Sequence, residues 1–481
     1  MKLLEPNSLA ALLGAALPDQ AGPGTSDTAR PFTRWPTGKG VAFNSSMVRP
    51  GDVFFALQGA TGHGIDHAEQ ALRSGAAYLV SDRQHPMALL VADAQAALLT
   101  LGRVARGRLA APIIGISGSA GKTTTKTLVT HALGGRSTPG NLNTPAALVA
   151  ALVEAALMDH ATDTTAVNRG ALVGPGRAGS PVVLELGIDA IGEMDELIDL
   201  TAPDHALLTT IGEAHLAAFT DTATVAREKA RLLERVAGLR LAGSGAAQQL
   251  QESLSADVIV TTITVQTGPP SDCQRSVTGT LSDSGELSAL GASARLPWRG
   301  TAMAENALLA LTLAVRLGGA AQAALDAIIT APLEHSRLER LRAGDVTIID
   351  DSYNSNPLSA ALALEVLRAA KRPLVAFLGD MRELGEVSRQ RHRELGSATS
   401  DLDMVVAIGE AAASLRDANP TALLATDALD AQRFIDQIPP GATVLVKGSR
   451  SLGLERLVDA LLARLGTARR GSAERTEVSS W

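Results

Sequence analysis

Short apolar runs recur along the chain, each followed by a stretch whose apolar positions repeat at helical spacing. In the middle of the sequence Ile113-Ile114-Gly115-Ile116-Ser117, Val182 to Leu186 and Ala206 to Ile211 predict buried strands. Beyond about Pro332 the alternation is more regular. Strands are predicted at Val346 to Ile349, Leu374 to Leu378, Met404 to Ile408 and Thr443 to Val446, with helices starting near Pro357, Ser388, Thr426 and Leu454. Such alternation predicts an α/β fold with a parallel, doubly wound sheet that binds ligands at the carboxyl ends of its strands. Before about residue 108, Val53 to Leu57 and Ala76 to Val80 read as strands among alanine-rich helices, which predicts a small α/β unit. Residues 240 to 297, rich in Ser, Gly and Thr, read as short strands and loops on the edge of the middle unit. The run Leu9 to Leu17 follows Glu5-Pro6, which favours an amphipathic first helix over a signal-peptide core. Ala146 to Met158 is the most apolar helical stretch, but Glu154 interrupts it and it falls short of the roughly 20 residues needed to cross a bilayer. No membrane span is expected, and the default location is the cytoplasm.

At 481 residues the chain is long enough for roughly three domains. The pattern divides it into 1–108, 109–332 and 333–466, with a polar tail over 467–481. A net charge of −7 gives no general attraction for nucleic acid or an anionic membrane, so a bound phosphate needs a local site. Aromatic residues at 2% argue against base-stacking platforms, and the single cysteine, Cys273, cannot form an intrachain disulfide.

The strongest chemical signal is Gly115-Ile-Ser-Gly118-Ser119-Ala120-Gly121-Lys122-Thr123-Thr124, between a buried strand and a helix. Glycines let backbone N–H groups close on phosphate oxygens, Lys122 adds a full positive charge, and Thr123 can ligate Mg²⁺. Two later strand ends offer partners. Glu185 closes an apolar run, where an unpaired carboxylate is costly, and His215 follows Leu208-Thr-Thr-Ile-Gly-Glu213 as a metal ligand or proton acceptor, although each taken alone also reads as a turn acid or a loop histidine. Lys229 falls in the apolar stripe of a helix marked by Val225, Leu232, Leu233 and Val236, and snorkelling to water is the simplest account of it. In the last unit Asp350-Asp351-Ser352-Tyr353-Asn354-Ser355-Asn356-Pro357, Gly379 to Gly385 and Val446 to Arg450 form three polar strand ends expected on one edge. An N-cap alone would also account for Asn356-Pro357.

These motifs, together with Arg49-Pro-Gly-Asp-Val-Phe-Phe-Ala-Leu57, Gly140-Asn141-Leu142-Asn143 and Ser336-Arg337-Leu338-Glu339, resemble the Mur ligase family over nearly the whole chain. Within it they resemble the branch that adds a D-alanyl-D-alanine dipeptide. The resemblance implies three domains: one holding a UDP-linked substrate, a central P-loop ATPase and a Rossmann-like C-terminal domain. It implies ATP contacts at Gly118, Ser119, Ala120, Gly121, Lys122, Thr123, Thr124, Asn306, Arg337, Asp351 and Tyr353. Metal sites would involve Thr123, Glu185, His215 and Lys229, the last as a carbamate, with Lys122, His215 and Lys229 catalytic. Ser45, Ser46, Arg49, Asn141 and Asn143 would face the UDP substrate, and Asn354, Ser355 and Asn356 the dipeptide. The chain departs from the family at Thr144-Pro-Ala-Ala147 and at Ala302-Met303.

The implied reaction uses ATP and Mg²⁺ to activate the terminal carboxylate of UDP-N-acetylmuramoyl-tripeptide as an acyl phosphate, which the amine of D-alanyl-D-alanine then attacks. Two alternatives share the motifs. One is another amide ligase of the Mur or folylpolyglutamate type, and the other a nucleotide-binding regulatory protein that kept the fold without turnover.

Overall fold

The computed structural model describes residues 3–15, 35–159, 170–213, 216–250, 254–265, 271–273 and 276–468. The apolar runs become strands in three sheets, of four, ten and six strands. In the first, Gly40–Ala42, Asp52–Ala56, Tyr78–Ser81 and Ala88–Leu90 are all parallel.

The ten-stranded sheet positions the chemistry. Ile113–Ser117 lies between Val182–Glu185 and His205–Leu208, parallel to both, with Ile116 opposite Glu185 and Ser117 opposite Leu208. Parallel register brings the three carboxyl ends to one edge. The Ser, Gly and Thr-rich stretch extends this same sheet through Arg240–Gly243, Ile259–Thr264 and Ser276–Leu281 to an antiparallel margin, Glu286–Ala289 with Ala292–Arg295.

The third sheet runs in the order Glu339–Ala343, Val346–Asp351, Thr443–Lys447, Leu374–Gly379, Met404–Ile408, Leu423–Ala425. Only its first pair is antiparallel. The helix predicted near Thr426 is instead a 3-10 segment, Asp430–Gln437. The final helix, Glu455–Ala468, takes in the first two residues of the predicted polar tail, and the rest of that tail lies outside the described residues. The first helix spans Pro6–Leu13, and the end of its predicted run also falls outside them.

One apolar core runs from Leu3 and Leu4 through Leu98 and Leu101 to Leu148, Val149 and Leu232, so the first sheet's helix Ala94–Arg106 is cemented to the middle unit. Each fully buried leucine there contributes about 1.5–3 kcal/mol. The helices Ala94–Arg106 and Pro145–Asp159 approach at Gly102, where a Cβ would come within 2.6 Å of Val149 Cγ2. The six-stranded sheet has its own cores on its two faces, one holding Ile348, Phe377 and Val444 and the other Ile349, Ala376 and Leu445. Among the described residues no helix is long and apolar enough to cross a membrane.

Candidate active site

The strand Ile113–Ser117 ends in a turn that opens the helix Lys122–Ala132. Gly121, at φ +79°, takes the left-handed conformation that favours glycine, and a Cβ there would stand 2.8 Å from Asn306 Oδ1. Asn306, on the helix Thr301–Arg316, is thereby set at the rim of the turn. The loop is held from the next strand end. Ser119 N donates to Thr210 O at 2.8 Å, Ser119 Oγ donates to Gly212 O at 2.9 Å, and Thr209 Oγ1 donates to Ala120 O at 2.6 Å.

Lys122 curls back over the turn, its Nζ donating to Gly118 O at 2.7 Å. Thr123 Oγ1 donates to Glu185 Oε2 at 2.8 Å, and Asn143 Nδ2 to Glu185 Oε1 at 3.2 Å. The buried Glu185 carboxylate is therefore answered first by a hydroxyl and an amide.

Lys229 does not snorkel: it is 1% exposed. The helix that carries it, Thr222–Arg235, packs against the strands His205–Leu208 and Ile113–Ser117. Burial first and the neighbouring Lys122 second hold its basicity down to about 7, with Asp189 and Glu185 opposing. Lys122 and Lys126 are shifted down as well, chiefly by burial.

Across from the loop stands the last domain. Asp351 and Lys447 are opposite each other in register and form an ion pair at 2.6 Å, while Lys447 Nζ also donates to Asn354 O at 3.0 Å. Leu338 N donates to the other Asp351 oxygen at 3.2 Å. The Arg337 guanidinium lies over the Tyr353 ring, 4.1 Å from its centroid. Asn356 does two things at once: its Oδ1 caps the helix Pro357–Arg368, and its Nδ2 donates to Ser119 O at 3.3 Å.

A cavity of about 360 Å³ lies between these walls. Of the predicted residues it gathers Ser119 to Thr124, Asn141, Asn143, Glu185, Asn306, Arg337, Asp351 and Tyr353 to Asn356. Ser45, Ser46 and Arg49 are elsewhere, in the 3-10 turn and loop that join Gly40–Ala42 to Asp52–Ala56, where Ser45 Oγ donates to Gln70 and the Arg49 guanidinium lies against Gly170. His215 lies outside the described residues. The three polar strand ends do share an edge, but the Gly379 to Gly385 segment does not line the cavity. Asp380 instead accepts from Glu410 N and Ala411 N at 3.0 and 2.9 Å.

Residues in or beside the cavity that the sequence did not single out include Asp189, Glu305 and Lys447, and behind its wall Lys126. Asp189 follows Glu185 closely, and strand-end acidity could have flagged it. Glu305 lines the wall and accepts from Ser244 N at 2.5 Å. Lys447 sat within a quoted motif without a role. Lys126 is enclosed and donates to the carbonyls of Thr138 and Gly140, pinning the loop that carries Asn141 and Asn143, and nothing in its spacing signals this.

The fold and site define a class: a P-loop protein whose cleft, lined by lysines, arginines and carboxylates, is closed by a second α/β domain. The particular family follows from comparison. Residues 38–102 match the family model described as "Mur ligase family, catalytic domain", residues 116–314 the "Mur ligase middle domain" and residues 336–450 the "Mur ligase, glutamate ligase domain". The chain belongs to the Mur ligase family. It is 28% identical over 455 residues to the UDP-N-acetylmuramoyl-tripeptide–D-alanyl-D-alanine ligase of Bacillus subtilis, covering 88% of this chain and 93% of that one. It is 27% identical over 458 residues to the Escherichia coli protein of the same name, with the same coverage, 88% and 93%. The crystal structure of MurF from Acinetobacter baumannii superposes with a TM-score of 0.76 at 24% identity, covering 95% of this chain and 98% of that one. MurF ligase from Thermotoga maritima, solved with ADP, gives 0.68 at 22% identity, covering 89% and 98%.

Proposed function

We propose that this ligase joins D-alanyl-D-alanine to UDP-N-acetylmuramoyl-tripeptide at the expense of ATP, in the cytoplasmic stage of peptidoglycan precursor synthesis. The observation that carries the reading is the single cavity in which Lys122, Thr123 and Glu185 of one domain face Arg337, Tyr353 and Asn354 of another. The relatives named for this reaction cover most of the chain and support it.

ATP lies with its phosphates on the loop Gly118 to Thr124 and its base toward Asn306. The terminal carboxylate of the tripeptide attacks the γ-phosphorus, the bond to the ADP oxygen breaks, and an acyl phosphate forms. Lys122 neutralises the charge gathering on the transferred group, and Arg337 adds positive potential from the opposite wall. The amine of D-alanyl-D-alanine, held near Asn354 and Ser355, attacks the acyl carbon. It loses a proton, and inorganic phosphate leaves. Closure of the cleft between two domains keeps water from the acyl phosphate.

The donor set fits Mg²⁺. Thr123 and Glu185 put a hydroxyl and a carboxylate side by side. An ion held by one carboxylate and a hydroxyl, with phosphate oxygens and water completing its shell, suits that metal. Thr123, Glu185, His215 and carbamylated Lys229 would hold it, and it would supply charge neutralisation at the phosphates. A lysine whose basicity is pushed down to about 7 offers the neutral amine that carbon dioxide needs to form a carbamate.

Phosphate release measured with ATP, UDP-N-acetylmuramoyl-tripeptide and each candidate amine tests the reading. Release is expected only when the nucleotide-linked tripeptide and the dipeptide are both present. Turnover with a single amino acid and none with the dipeptide overturns it.

A further inference from the structure

The C-terminal domain grips the nucleotide loop from a second side, away from the cavity. Arg391, on the helix Ser388–Ser397, donates through Nε to Glu213 Oε2 at 2.6 Å and through Nη2 to the other Glu213 oxygen. The two residues are 178 positions apart in sequence and belong to different domains. Both are partly sheltered, with side chains 28% and 21% exposed, so the fork-to-carboxylate pair is screened less than a surface contact. Glu394, one turn on, binds the free edge of the same guanidinium and orients it.

Glu213 is one residue from Gly212, whose N–H and C=O both bond to Ser119 Oγ, at 3.0 and 2.9 Å. Ser119 is the residue whose carbonyl accepts from Asn356. The phosphate loop thus meets the C-terminal domain twice: directly at Asn356, and through Ser119, Gly212 and Glu213 at Arg391. A loop held at both points has its N–H groups fixed before any phosphate arrives, which saves ordering at the moment of binding.

We propose that Arg391 is a positioning residue that, by clamping Glu213, couples seating of the C-terminal domain to the shape of the phosphate loop. This rests on the ligase reading only in placing ATP on that loop. The clamp is not on the cavity wall, so it acts on nucleotide affinity and on closure and not on the choice of amine.

The test is a charge-reversal cycle of Arg391→Glu, Glu213→Arg and the double variant, with Arg391→Gln as a milder fourth protein. Each is read in two ways: the Kd of a non-hydrolysable ATP analogue with Mg²⁺, and the KM for ATP and kcat of phosphate release. Arg391→Glu sets a third carboxylate beside Glu213 and Glu394, and is expected to weaken analogue binding and raise KM by about tenfold while its thermal melt stays close to that of the parent. The double variant restores Arg–carboxylate pairing and is expected to recover most of the loss, which a merely structural role for either side chain would not produce. Arg391→Gln should fall between. Single variants that bind the analogue like the parent overturn the proposal, as does a double variant no better than the worse single. Analogue binding is measured without the tripeptide or the dipeptide, so it reports on the clamp even if the amine assignment fails.

Discussion

Lys122 helps to set the chemistry of Lys229. Lys122 is the second cause, after burial, of the low basicity of Lys229, and its own basicity is shifted down too. Lys122→Ala should cut phosphate release by about a hundred- to a thousandfold, as loss of a transition-state donor does, with an unchanged circular dichroism spectrum. For Lys229 the consequence extends to stability. Between about pH 7 and the unfolded value of 10.5 the unfolded chain holds a proton that the folded chain has released, so stability rises with pH through that window. In bicarbonate-free buffer Lys229→Met is therefore expected to melt higher than the parent near pH 7, by an amount worth a few kcal/mol, and the gap should close toward pH 10.5. A gap that does not change with pH would show that the amine is not held neutral. Lys229→Ala should lose most activity and regain part of it in acetate or formate, which can fill an anionic position; a snorkelling lysine would give neither result.

At the scale of elements, strand, loop and helix around Gly118 to Thr124 were legible because each signal is local: an apolar run, glycines where backbone must turn, and helical spacing afterwards. The parallel edge that collects Glu185 was legible for the same reason. The direction of the Lys229 stripe was not, since periodicity gives a face but not what covers it. Nor could the bonds Asn356 to Ser119 and Arg391 to Glu213 be read, because they depend on how two separately cored units dock. The two jobs of Asn356 can be separated. Asn356→Ser keeps a capping oxygen but is too short to reach Ser119, so the melting temperature should hold while KM for ATP rises; Asn356→Ala should lose the cap as well, at a cost of about 1 kcal/mol in a denaturant titration. Gly121→Ala forces a side chain into a left-handed residue and against Asn306, and is expected to weaken ATP-analogue binding more than it lowers the melting point.

The whole molecule divides unevenly. The first sheet and the middle unit share one core, whereas the last domain keeps its own and meets the middle unit through, among others, the polar contacts of Asn356 and Arg391. Raising salt from about 0.05 to 0.5 M should thus raise KM for ATP, through the screened Arg391–Glu213 pair, with little change in the melting of the middle unit. The connection between the two bodies, residues 332–338, is stitched straight onto the substrate wall. Tyr353 N donates to Ser336 O at 3.2 Å, Ser336 Oγ donates to Asp350 at 2.9 Å, and Leu338 N donates to Asp351. This connection is the fulcrum of any swing, and Arg337 and Tyr353 sit almost on it. The helix that bears Arg391 follows a strand two spacings further across the sheet, about 10 Å along the lever. A rotation about this fulcrum hardly moves Arg337, Tyr353 and the neighbouring Asn354 while it displaces the Arg391 helix most, so the Arg391–Glu213 contact is the first to part and the last to form as the domain seats.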